Sequence, residues 1–130
     1  MRVPEHLKHK PIIAVYNYHK EDGIHKNDTD AKGLSIGRSQ WDKNEISAKV
    51  WRHKEDSGWS RQSEELPLHR VLDLAILILS IYNSSEGKID TFLKEMVIDE
   101  GGMEDIKTFL DENEEVFEKR IEELKRILKE

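Results

Sequence analysis

The run from Trp59 to Asp73 holds the densest set of side chains able to do chemistry: Arg61, Glu64, Glu65, His69, Arg70 and Asp73. His69 and Asp73 stand four apart, so on a helix they share a face. A carboxylate there would orient the imidazole, as a third group orients the base in nucleophile–base systems. Glu64, His69 and Asp73 are therefore the candidate catalytic groups. Arg61 and Arg70 carry the forked donors that suit a carboxylate or phosphate, and free amides at a helix N-terminus would assist them. A structural reading of the same residues weighs more. Pairs Arg61–Glu65 and Arg70–Asp73 would neutralise a buried junction, with His69 as a hydrogen-bonded interior histidine.

A second set is aromatic and basic. Trp41, Trp51, Trp59, Tyr16 and Tyr18 fall on segments that read as strands, interleaved with Arg38, Lys49, Arg52 and Arg61. Such a surface stacks bases or a nucleotide, or else packs beneath helices. Trp41, Lys49 and Trp51 lie on the same side of the strand alternation, which predicts one partly polar and open sheet face. Arg38, Lys49, Trp51, Arg61 and Arg70 are accordingly the ligand-binding candidates, with a small anion as the ligand class.

Six histidines, at 6, 9, 19, 25, 53 and 69, all precede the midpoint of the helical region. None has the spacing of a known ligand frame, and Pro67 interrupts Glu65-Leu-Pro-Leu-His69. They read as surface histidines, and no metal or cofactor is implied. Asn27–Gly33 has oxygen-bearing side chains at alternate positions but lacks the glutamate and glycine of a calcium loop. An Asx turn explains it better.

The elements that must position these residues come in two kinds. Pro11–Tyr18 is rich in β-branched and aromatic residues and reads as a strand. A polar loop over 19–30 follows, turning at Gly23. Leu34–Trp41 and Glu45–His53 alternate with period two and form a hairpin about Asp42-Lys43-Asn44. Trp59–Ser63 is a further short strand. Ser63, Glu64 and Glu65 suit the positive end of a helix dipole, and Pro67 suits a first helical turn. Leu68–Tyr82 is apolar nearly all round, the pattern of a helix buried on most sides. Ile89, Phe92, Leu93, Met96 and Val97 predict an amphipathic helix, Gly101-Gly102 a break, and Met103–Leu110 a short helix. A last helix is expected from Asp111, with a capping-box spacing to Glu114 and a stripe of Phe117, Ile121, Leu124, Ile127 and Leu128. Glu115–Lys119 and Glu122–Arg126 are favourable i,i+4 pairs. Strands first and helices later predict an α+β fold: a three- to four-stranded antiparallel meander on a buried helix, followed by two or three helices. One domain is expected over 1–130, strand-rich to 63 and helical from 64.

At 130 residues, 36% hydrophobic and 37% charged, the chain has enough core for one domain. It contains no cysteine, which excludes disulfides, thiolate zinc sites and thiol catalysis and suits a cytoplasmic location. No run is long and apolar enough to cross a bilayer. The net charge of −6 makes nucleic acid an unfavourable partner. The acidity is uneven, since residues 1–66 carry 12 basic against 11 acidic side chains and residues 67–130 carry 9 against 16. The charged final helix with its narrow stripe suits a protein partner or a homodimer.

Over Asn27–Ser35, Ile46–Arg52 and Trp59–Asp73 the chain resembles a family of small uncharacterised bacterial proteins of the Firmicutes type. The resemblance spans roughly residues 4–82. It implies a bacterial, cytoplasmic protein and brings no activity or catalytic residue. With no nucleophile–base pair, metal frame or phosphate loop complete, the sequence favours a non-enzymatic binding or regulatory module. The alternative is a small hydrolase or nucleic-acid-processing enzyme with its site at Trp59–Asp73.

Overall fold

The computed structural model describes residues 2–60, 64–83 and 90–129. They belong to two compact units, 1–72 and 73–130. In the first unit five strands form one antiparallel sheet. They are β1 (Lys10–Tyr16), β2 (Ala31–Arg38), β3 (Ile46–Lys54), β4 (Gly58–Trp59) and β5 (Glu64–Pro67). β1, β2 and β3 lie side by side, and both β4 and β5 pair with β3. The connection from β1 to β2 makes two 3₁₀ turns, Tyr18–Lys20 and Gly23–His25. Asn17, Gly23 and Asn27 adopt positive φ there, as asparagine and glycine do at little cost.

The period-two alternation sorts side chains onto two faces as expected, but the polar face is not open. Ser35, Ser47, Lys49, Trp51 and Glu65 are all buried. The cause is the segment ahead of β1, which folds back over this face. Val3 and His9 on that segment are themselves buried. Gly33 makes the approach possible, since a Cβ there would stand 2.5 Å from Val3 Cγ1. Gly37 serves the β1–β2 pairing itself: a Cβ there would stand 2.1 Å from the carbonyl oxygen of Lys10, the first residue of β1. Trp41 does not join this face; it is exposed, with its indole N–H donating to Glu45. The other face is apolar and lines a groove of about 470 Å³ with Ile13, Val15, Leu34, Ile36, Val50 and Leu66.

Glu64–Pro67, expected to lead into a helix, is strand β5, in register with Ser47–Val50 of β3. Its alternation explains why: Glu65 and Pro67 fall on the buried polar face, and Leu66 joins the apolar groove. Pro67 ends the strand, a position where the missing N–H breaks no interior ladder bond. Helix α1 (Leu68–Tyr82) starts at the next residue. None of its side chains is fully buried, although the composition predicts burial on most sides. Only Val71, on its first turn, reaches the apolar groove.

The second unit holds α2 (Glu100–Glu112) and α3 (Glu114–Leu128). The amphipathic helix expected about Phe92–Val97 is absent from the described residues 90–99, which carry no helix. Thr91 captures that backbone instead: its N–H and hydroxyl both donate to the Glu95 carboxylate, and its oxygen accepts from Leu93 N–H. Such local bonds compete with helix formation. Gly101-Gly102 does not break the chain; both residues sit in the first turn of α2, capped by Asp99, whose carboxylate accepts from Gly102 N–H at 3.0 Å. α3 begins after Asn113 rather than at Asp111, because α2 runs on to Glu112 and Asn113 caps its end, its amide donating to Phe109. Ion pairs on α3 include Glu122–Lys125 and Glu123–Arg126, at i,i+3 spacing. Phe109 meets Phe117 edge-on at 5.9 Å, joining the two helices, and Leu110 is buried. The architecture is thus α+β, a meander followed by three helices. No helix among the described residues is long and apolar enough to cross a membrane.

Candidate functional site

The buried polar face holds one continuous network. Ser35 on β2, Lys49 on β3 and Glu65 on β5 are direct cross-strand partners, so they form a row across three strands. Ser47 and Trp51 flank Lys49 along β3 on the same face. His9, delivered by the segment before β1, lies over the row and is 1% exposed.

The donors fix the protonation pattern. Trp51 Nε1 can only donate, and it does so to Ser35 Oγ at 2.8 Å. His9 Nδ1 faces the Glu65 carboxylate, which can only accept, so Nε2 is left to accept the Ser35 hydroxyl proton, 3.0 Å away. The other imidazole nitrogen, Nδ1, carries the proton and faces Ser47 Oγ at 3.0 Å and Glu65 Oε2 at 3.2 Å. Ser47 donates to the same Glu65 oxygen at 2.7 Å, and the backbone N–H of Gln40 does so at 3.1 Å. A neutral His9 thus satisfies both of its own ring nitrogens. Burial, the largest influence, lowers the affinity of His9 for a second proton below the ordinary histidine value, and the Glu65 charge opposes this only in part. For Glu65, burial pulls upward, but the bonds from Ser47, Gln40 and His9 together outweigh it and hold the carboxyl below its usual range.

Two groups are left over. Glu65 Oε1 is buried without a hydrogen-bond partner among the described residues. Lys49 is 7% exposed, and its ammonium rests 4.0 Å from the centre of the Trp51 ring. It makes no hydrogen bond or ion pair to a described residue. Burial lowers its pKa from the ordinary lysine range, with the Glu65 charge pulling the other way. Lys49 forms part of the wall of a cavity of about 280 Å³, together with Leu7, Lys8, His9 and Gln40.

The connectivity Ser35–His9–Glu65 is that of a nucleophile, base and orienting carboxylate. Its chemistry is blocked by packing. Ser35 is buried at its strand position, its oxygen already accepts from Trp51, and the cavity beside His9 does not include it. The network orders the sheet; the free functionality is the lysine.

The residues singled out in the sequence are dispersed. Lys49 and Trp51 meet in the network. Arg38 is exposed at the end of β2. Arg61 lies outside the described residues. Glu64 is exposed and pairs with Arg52, which also bonds Asp30. His69 and Arg70 are exposed on the first turn of α1 and line a separate cavity of about 390 Å³ with Trp41, Glu45, Glu65 and Pro67. Asp73 lies four positions beyond His69 on α1 and is half-buried. The interior histidine is His9 rather than His69. Nothing local in the chain marks His9, because its partners are 26, 38 and 56 positions away. No group of three or more potential metal ligands converges among the described residues.

One family model matches residues 1–87, more than half of the chain, and its description is a family of unknown function (DUF6530). No curated protein and no solved structure matches.

Proposed function

Since the chain belongs to DUF6530, a family without an assigned function, its activity must be read from the site, and we propose that it is a small-molecule binding module for an anion. The ligand enters the cavity bounded by Leu7, Lys8, His9, Gln40 and Lys49. One observation carries this reading: Lys49 is only 7% exposed, yet its ammonium makes no hydrogen bond or close ion pair with a described residue. Buried charges are ordinarily paired, and an unpaired one costs several kcal/mol as an order of magnitude. A carboxylate or phosphate group in the cavity would supply the missing partner. The cavity lies at the small end of ligand sites, which suits a compact anion. A cytoplasmic, non-enzymatic role fits the absence of cysteine and the sealed Ser35.

The test is binding of acetate, oxalate and inorganic phosphate, followed by amide chemical shifts of Gln40 and Lys49 and by thermal unfolding. Saturable shifts at these residues, lost in Lys49→Met and retained in weaker form in Lys49→Arg, are expected. Shifts confined to other surfaces, or unchanged in a folded Lys49→Met protein, would overturn the assignment.

A further inference from the structure

We infer that Lys49 is a carbonyl-condensing amine, and that the cavity beside it takes a small oxo acid, an anion bearing an aldehyde or ketone group. The inference rests on the proposed anion site and adds a covalent step to it. An amine that attacks a carbonyl must be unprotonated, reachable and not already engaged in a hydrogen bond. Lys49 meets the last two conditions by geometry. Its ammonium is held over the Trp51 ring and bonded to no described residue, and its side chain forms part of a cavity wall. Desolvation serves the first by favouring the neutral amine. Lysines of this kind form Schiff bases. Lys125 and Lys129, by contrast, are exposed to solvent.

The surroundings suit the reaction. The nitrogen lone pair adds to the carbonyl carbon, forming the C–N bond, and a nitrogen proton passes to the carbonyl oxygen. The carbinolamine then gives its remaining nitrogen proton to that oxygen, the C–O bond breaks, and water leaves the neutral imine. Nothing is oxidised or reduced. Lys8, in the same wall, is placed to pair with the carboxylate of the oxo acid once Lys49 has given up its charge. Glu65, the cross-strand neighbour of Lys49, retains one unpartnered oxygen that can accept the proton Lys49 sheds on becoming the free amine, before the condensation itself.

The experiment exposes the intact protein to glyoxylate and cyanoborohydride near neutral pH, then maps the adducts by peptide mass spectrometry. The hydride reduces the imine to a stable secondary amine, so each labelled lysine gains one carboxymethyl group. Lys49 is expected to label at least about tenfold faster than Lys125, whose ammonium is paired with Glu122, because desolvation favours the neutral Lys49 amine. Inorganic phosphate is expected to slow that labelling. Lys49→Arg keeps the charge and should bind phosphate while losing the fast adduct. Labelling of Lys49 no faster than of Lys125 overturns the inference, and phosphate shifts at Gln40 in that same protein would leave the anion site standing. Fast labelling that phosphate does not slow has the opposite meaning: the reactive amine stands and the anion site falls.

Discussion

Among single residues, Trp51 has the most attached to it. Its ring supports the Lys49 ammonium, its edge meets His9 at 5.8 Å and Trp59 at 6.0 Å, and its N–H starts the bond chain through Ser35. Ser35→Ala would strand both Trp51 Nε1 and His9 Nε2, at about 1–3 kcal/mol for each orphaned buried group. Urea denaturation should show that loss, and Ser35→Thr, which keeps the hydroxyl, should recover part of it. The network also sets an acid limit. Both His9 and Glu65 are held below their ordinary pKa values. The unfolded chain therefore binds protons first as pH falls, so the stability they contribute is whole above the ordinary histidine value of about 6.5 and declines below it. The decline should begin with His9 and deepen as Glu65 approaches its own range. Thermal unfolding between pH 7 and pH 4 should show a falling midpoint, and His9→Gln should flatten the upper part of that slope.

At the scale of elements, the glycines and caps carry distinct predictions. Gly37→Ala places a methyl group against the Lys10 backbone carbonyl, which cannot swing aside as a side chain would. We expect a loss at or above the upper end of the usual overpacking range of about 1–3 kcal/mol, read by denaturant unfolding. Gly58→Ala has open space but a φ of +73°, so its expected cost is smaller, about 1–2 kcal/mol from conformation alone. Asp99→Ala should lower the helical signal of α2 and cost about 1 kcal/mol, as removal of an N-cap does. The strands were legible because alternation is a local property: Leu34, Ile36 and Val50 against Ser35, Lys49 and Trp51 sorts correctly from sequence alone. What alternation cannot say is which face closes. That is decided by residues 2–9, whose contacts through Val3 with Gly33 and through His9 with Ser35, Ser47 and Glu65 are remote in sequence. β5 was hidden because two glutamates and a proline have low strand propensity, and only pairing with Ser47–Val50 makes them a strand. Thr91 misled for the opposite reason, since its side chain outcompetes an apolar period that looked helical.

For the whole molecule, the division at Leu72 separates the spectroscopic signals as well as the contacts. All three tryptophans lie in the first unit, while α2 and α3 lie wholly in the second. If the units unfold independently, tryptophan fluorescence and far-ultraviolet circular dichroism will give different urea midpoints; coincident curves would mean one cooperative block. The matched family region ends at residue 87, so it covers the first unit and its site but not α2 or α3. The backfolded segment over Gly33 bears on how this protein can be handled. A fragment trimmed to the first residue of β1 would retain all five strands and look intact by any inventory of secondary structure. It would lack Val3, Leu7, Lys8 and His9, and with them the wall of the cavity and the cover over Lys49. An affinity tag belongs at the other end.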